Sequence, residues 1–279
     1  MLVNSFGMIK TAQQNGYAVP AFNAANMEMI QGILEAAEES KSPVIIQTTM
    51  PTVKYITEDL MFAMVNCAAS KISVPVALHL DHCTEFDLVM RALRAGYTSV
   101  MIDGSKKSLE ENISLTKSVV SAAKPMGVTV EAELGTIGGK EDSISAEIQY
   151  TDPYEAYRFV SETDVDILAV AIGTAHGFYK GEPKLNFDIL SQIRQKVDTP
   201  LVLHGGSGVP DEKVKKAIAL GMSKVNFATE LRAAATSGVR EILEDSGVID
   251  PKKYMGCGRE AVKKLCIEKI KLCGSYGKA

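Results

Sequence analysis

Val76-Ala77-Leu78-His79-Leu80-Asp81-His82-Cys83 begins as a short apolar run and ends abruptly in His-Leu-Asp-His-Cys. Such a run reads as a strand of a parallel sheet, buried on both faces and delivering polar side chains to its C-terminal rim. With a side-chain period of two, His79, Asp81 and Cys83 share one face. His82 would point the other way, but it falls where the strand gives way to a loop. A carboxylate and an imidazole are thus adjacent at one rim. Taken alone, the pair reads equally as a hydrogen-bonded core histidine beside a solvated aspartate, since buried polar groups normally find partners.

Seven further runs of this kind surround it: 18–23, 44–48, 99–102, 129–133, 167–171, 201–203 and 224–227. Amphipathic stretches such as 27–40, 86–95, 109–123, 153–162, 188–196 and 211–220 separate them, the pattern of repeated β-α units. Right-handed crossovers over eight successive units close most naturally into a (β/α)8 barrel, and 279 residues suit the roughly 250 typical of one. No long linker or low-complexity tract interrupts the series. The expectation is a single α/β barrel domain over residues 1–279, with a C-terminal helical extension from Ser246 to Ala279 that could pack on a neighbour.

A hydrophobic fraction of 46% and a formal charge of −4 give no electrostatic case for nucleic-acid binding. There is no apolar run of about 18 residues and no signal-like N-terminus, which argues against a membrane partner. Five cysteines without paired spacing fit a reducing cytosol.

Barrel chemistry belongs at the C-terminal ends of the strands, and all four histidines fall there: His79 and His82 after the third run, His176 after the sixth, His204 after the seventh. Three neutral imidazoles with an open fourth position describe a catalytic zinc site. Beside them, Gly173-Thr174-Ala175-His176-Gly177, His204-Gly205-Gly206-Ser207-Gly208 and Val225-Asn226-Phe227-Ala228-Thr229 offer bare amides and small hydroxyls. Any one could be a tight turn; together they read as a phosphate cradle.

His-Leu-Asp-His-Cys, Val-Glu-Ala-Glu-Leu-Gly-Thr-Ile-Gly-Gly-Lys-Glu-Asp, Gly-Thr-Ala-His-Gly-Phe-Tyr-Lys-Gly and Leu-His-Gly-Gly-Ser-Gly-Val-Pro, in this order and spacing, resemble the zinc-dependent class II ketose-bisphosphate aldolases. Within that family, Lys-Val-Asn-Phe-Ala-Thr-Glu-Leu-Arg and the tail are similar to tagatose-1,6-bisphosphate aldolases. The resemblance implies that His82, His176 and His204 hold zinc, with Asp103 and Glu133 at a displaced metal position and His79 in support. It leaves Cys83 a bystander. It places the phosphate next to the ketone among Gly177, Lys180, Gly205, Ser207, Asn226 and Thr229, with a monovalent cation nearby. Asn23 matches a residue that binds substrate hydroxyls. Arg232 and Thr49 are candidates for the second phosphate, with Lys252 of a neighbouring subunit helping. Ala228 stands where fructose-specific relatives usually carry Asp, which favours tagatose.

The implied reaction is reversible cleavage of a ketose 1,6-bisphosphate to dihydroxyacetone phosphate and glyceraldehyde 3-phosphate, with zinc as the Lewis acid that stabilises the enediolate. Asp81 would exchange the C4 hydroxyl proton and Glu141 would protonate the enediolate. No lysine is expected within the strand runs, where a Schiff-base amine would be built. A ketose 1-phosphate with another distal group, or a zinc-dependent hydrolase on the same barrel, are the alternatives. A homodimer or homotetramer is expected, and some tagatose-type aldolases also work with a companion subunit. The segment 135–143 reads as a lid hinged at Gly138-Gly139, with polar residues to about Ile148 that have little to hold them.

Overall fold

The computed structural model describes residues 2–141, 144–146, 149–179 and 181–279, with the backbone alone for 140, 141 and 144–146. Its strands are β1 (Val19–Asn23), β2 (Val44–Thr49), β3 (Val76–Asp81), β4 (Ser99–Ile102), β5 (Thr129–Leu134), β6 (Gly138–Glu141), β7 (Ile144–Ala146), β8 (Ile167–Val170), β9 (Ala175–His176), β10 (Leu201–Leu203) and β11 (Met222–Phe227). Its helices are α1 (Ser5–Asn15), α2 (Met27–Ser40), α3 (Met50–Ile56), α4 (Glu58–Ala69), α5 (Phe86–Ala95), α6 (Leu109–Ala123), α7 (Pro153–Thr163), α8 (Phe187–Lys196), α9 (Asp211–Ala219), α10 (Thr229–Ile242) and α11 (Pro251–Leu272).

Eight of the strands close into an all-parallel barrel in the order β1-β2-β3-β4-β5-β8-β10-β11. The expected runs coincide with them to within two residues at either end. Period-two alternation sorts the side chains. From β2 and β3, Val44, Ile46, Val76, Leu78 and Leu80 join the large layer between strands and helices, while Ile45 and Ala77 join a small interior cluster with Val19, Ala21, Ile167, Ala169 and Val202. The register Val44↔Val76 through Thr49↔Asp81 keeps the two sets apart. Met8, Ile9 and Ala12 of α1 complete the interior cluster and close the N-terminal end of the barrel. Above that floor the inward positions turn polar, and this change of layer makes the site.

The helices carry one apolar face each. In α5 that face is Leu88, Val89, Ala92 and Leu93, of which Leu88, Val89 and Leu93 each contribute about 1.5–3 kcal/mol by leaving water. Ser108 and Glu111 close a capping box on α6. Within its own chain the C-terminal helix α11 packs on α2 and α10. Gly32 and Gly238 permit this, since a Cβ on either would lie 2.7 Å from the backbone oxygen of Arg259 or Cys257. Ion pairs Arg259–Glu35 and Lys263–Glu39 flank the contact.

The segment after β5 differs from the expected partnerless lid. β6 and β7 form an antiparallel hairpin, and β6 pairs in parallel with β9, Gly138 opposite Ala175 and Gly139 opposite His176. Asp142, Ser143, Glu147 and Ile148, on which the rest of the expected lid falls, lie outside the described residues. Gly139 needs to be glycine: its φ is +85°, and a Cβ would sit 2.3 Å from the His176 carbonyl oxygen.

Candidate active site

β3 ends at Asp81, and His82 adopts φ +48°, a left-handed conformation costing an L-residue roughly 1–2 kcal/mol. That single residue turns the His82 ring back over the barrel mouth and reverses the parity of the residues after it. Cys83 therefore does not share a face with His79 and Asp81; it packs in the outer layer, where burial pushes its thiol up to about 12. The strain sits beside three converging imidazoles, as strain commonly does at functional sites.

His82, His176 and His204 offer ring nitrogens all within 4.8 Å of one another. His204 Nδ1 lies 2.8 Å from His82 Nε2, and the rings meet edge to face, with centroids 4.5 Å apart for His82–His204 and 4.7 Å for His82–His176. Burial holds His176 and His204 well below the usual imidazole range, and the neighbouring His82 adds to it. Both are neutral at pH 7, with the lone pairs a metal needs. The donor set fits zinc: three imidazoles grouped together, with no fourth ligand in that group among the described residues. His82, His176 and His204 would hold such an ion through these ring nitrogens.

Asp103 and Glu133 form a second group around His82. The His82 Nδ1 atom is 3.7 Å from an oxygen of each. Burial raises the Asp103 carboxyl, but the His82 ring and Ser105 outweigh it and bring the pKa to about 2. Burial and the Asp103 charge together push Glu133 well above the carboxylate range. Two neighbouring carboxyls are thus driven apart in protonation, as they are where cations or protons are handled.

Asp81 is buried and held on both oxygens: Gln47 Nε2 donates to Oδ2 at 3.0 Å, and Asn226 Nδ2 approaches Oδ1 at 3.4 Å. Gln47 also donates to Asn23 Oδ1 at 2.8 Å. One cleft is lined by Asn23, Gln47, Asp81, His176, Gly177, Gly205, Ser207, Asn226, Ala228 and Thr229. Asn23 Nδ2, Gln47 Oε1 and Asn226 Oδ1 are buried there without a hydrogen-bond partner among the described residues. Such atoms call for a polar ligand rich in hydroxyls. Ser207 Oγ accepts from the Ala228 amide at 3.2 Å where α10 begins, and a helix start beside glycine amides is an anion site. Gly205 (φ +65°) brings its backbone against Ala175, whose oxygen would be 2.6 Å from a Cβ.

Seven sequence-predicted residues therefore meet in this cleft besides Asp81 and His176: Asn23, Gly177, Gly205, Ser207, Asn226, Ala228 and Thr229. Thr49 and Arg232 are not among its lining residues; Thr49 Oγ1 lies 3.3 Å from Thr52 Oγ1. Lys252 pairs with Asp250 at 3.1 Å. Lys180 lies outside the described residues, as does the side chain of Glu141.

Sequence reasoning missed four residues. Gln47 is a polar residue in an apolar run, a signal that was available. Tyr179 accepts from the Ala175 amide at 2.8 Å and donates to the Gly205 carbonyl at 3.0 Å, tying the His176 loop to the His204 loop. Glu131 lies 2.7 Å from His204 Nε2. Lys224, the first residue of the run 224–227, corrects the expectation that no lysine lies in a strand: it is on β11, fully buried, with Nζ 2.7 Å from Glu131. The pairing with a carboxylate sets it apart from an isolated buried amine awaiting a carbonyl.

A family model described as fructose-bisphosphate aldolase class-II matches residues 3–278. The crystal structure of the YdjI aldolase from Escherichia coli K12 superposes with a TM-score of 0.91 at 41% identity, covering 100% of both chains. That of fructose-bisphosphate aldolase (Fba) from Campylobacter jejuni superposes with a TM-score of 0.84 at 26% identity, covering 100% of this chain and 97% of the other.

Proposed function

Because this chain belongs to the class II fructose-bisphosphate aldolase family, we propose that it is a zinc-dependent lyase that reversibly cleaves a ketose 1,6-bisphosphate to dihydroxyacetone phosphate and glyceraldehyde 3-phosphate. The observation that carries the reading is the meeting of three imidazoles, the doubly held Asp81 and an amide-rich anion cradle at one rim. His82, His176 and His204 would hold zinc, which when bound supplies Lewis-acid withdrawal of electron density from the ketone. Asp103 and Glu133 would receive the ion in a displaced position.

Asp81 takes the proton of the C4 hydroxyl as the C3–C4 bond breaks; the bonding pair passes to the ketone end and the aldehyde leaves. Gln47 and Asn226 fix the carboxylate for this transfer, which is general-base work at hydrogen-bond range. Glu141 then returns a proton to C3. Its position supports the role: β6 ends at Glu141 and runs beside His176. Asn23, with an amide nitrogen to spare, orients substrate hydroxyls. Gly177, Lys180, Gly205, Ser207, Asn226 and Thr229 hold the phosphate next to the ketone, and a monovalent cation beside it belongs to the same proposal. Arg232 and Thr49, with Lys252 from a second subunit of a homodimer or homotetramer, hold the distal phosphate.

Ala228 lines the cleft with no polar group to read the C4 configuration, which favours tagatose 1,6-bisphosphate over fructose 1,6-bisphosphate, in a reducing cytoplasm. The purified chain should release dihydroxyacetone phosphate from both sugars and prefer tagatose. Ala228→Asp should move the preference toward fructose; an unchanged ratio of kcat/KM would sink this reading of specificity. Failure of the single chain to turn over, with activity restored only by a companion protein, would assign it a subunit role instead.

A further inference from the structure

Below the three imidazoles the barrel interior holds a charged layer that proton transfer at the substrate does not use. Lys224 of β11 is 0% exposed. Its Nζ donates to Glu131 Oε2 at 2.7 Å, and the other oxygen of that carboxylate, Oε1, lies 2.7 Å from His204 Nε2. His79 closes the layer: its Nδ1 is 2.7 Å from Ser99 Oγ, and its Nε2 is 3.6 Å from Glu131 Oε2 and 3.9 Å from Asp81 Oδ1. His79, Asp81 and Glu131 could themselves hold a metal ion. The lysine ammonium, already on Glu131, supplies positive charge to that group.

A buried ion pair is poor value for stability, since desolvating both charges offsets their attraction and an apolar pair of the same size often does as well. The geometry indicates what else this one does. An imidazole presents its lone pair on the nitrogen that carries no proton, and the partner of the other nitrogen decides which that is. Carboxylate oxygens only accept, so Glu131 Oε1 fixes the His204 proton on Nε2 and leaves the Nδ1 lone pair facing His82 and His176. Glu131 can do this in one orientation, and the lysine clamps its other oxygen.

Resting on the zinc reading above, we propose that Lys224 is a positioning residue: through Glu131 it holds His204 in the Nε2–H tautomer and at the angle that presents Nδ1 to the metal. Replacing the lysine frees the carboxylate to rotate, and the His204 ring loses its fixed donor partner. Changes to such partners of metal-bound histidines typically weaken metal affinity by about 10–100-fold.

The wild-type protein gives the first test without any substitution. With only four histidines, ring-labelled protein should show by nitrogen-15 NMR that His204 carries its proton on Nε2, both metal-free and zinc-loaded. A His204 protonated on Nδ1 would overturn the proposal. The second test compares zinc affinity, by competition with a chromophoric chelator, in wild type, in Lys224→Met and in the double variant K224M/E131Q, which leaves no uncompensated buried charge. Every folded variant should bind zinc about 10–100-fold more weakly, and its cobalt-substituted form should show a shifted visible spectrum. A lysine serving stability alone would lower the melting temperature and move neither readout. Wild-type zinc affinity in either folded variant would refute the clamp. Wild type that binds no zinc at all would instead refute the metal reading on which it rests.

Discussion

Gly139→Ala tests how tightly the hairpin is coupled to the metal centre. The new methyl group would lie 2.3 Å from the His176 carbonyl oxygen and 2.7 Å from its amide nitrogen. Both neighbours are backbone, so no side chain can swing aside. Restoring ordinary contact, which begins near 3.4 Å, moves β6 from β9 by about 1 Å, and a misplacement of that size can cost roughly 10²-fold in rate. The left-handed φ of +85° adds about 1–2 kcal/mol of backbone cost, within the 5–15 kcal/mol margin typical of a folded domain. Gly16→Ala is the control: its φ is +69° with nothing within 4 Å of the added Cβ, so it carries the backbone cost without the collision. Melting temperatures and dihydroxyacetone phosphate release at saturating zinc should be measured for both. Gly16→Ala should lose the backbone cost alone and keep its activity, whereas Gly139→Ala should lose more stability and about 10²-fold in kcat/KM. Equal activity in the two would refute the coupling.

Glu141→Ala should retain zinc and substrate affinity while turnover falls by roughly 10²–10⁴, with exchange of the dihydroxyacetone phosphate C3 proton slowing in parallel; wild-type exchange would return the proton to Asp81 or Glu133. Among the cysteines, exposed Cys67 should react with a thiol reagent in the native protein, whereas Cys83, buried and with its thiol raised to about 12, should react only on unfolding. Native-state modification of Cys83 would contradict its place in the outer layer.

The barrel was legible because its strands are short apolar runs with turn residues between them, and because all four histidines collect at their C-terminal ends. Asp81 and His79 were legible for the same reason: a polar residue two places from another at the end of a run faces the interior. Glu131 and Lys224 obey the same parity, yet their partnership spans 93 positions and appears only when the barrel closes. Cys83 was misplaced because one left-handed residue, His82, shifts the alternation by one. The docking of α11 on its own chain depends on Gly32 and Gly238, whose helix positions show no apolar signal. The hairpin after β5 depends on Gly139 lying against His176, another contact that local pattern does not contain.

The most direct test of the account is a zinc titration of chelator-treated protein, following dihydroxyacetone phosphate release from tagatose and fructose 1,6-bisphosphate together with bound metal. The account predicts no turnover without metal and full turnover at one zinc per chain, and loss of that binding in His204→Ala. Full activity in protein shown to be metal-free would contradict it.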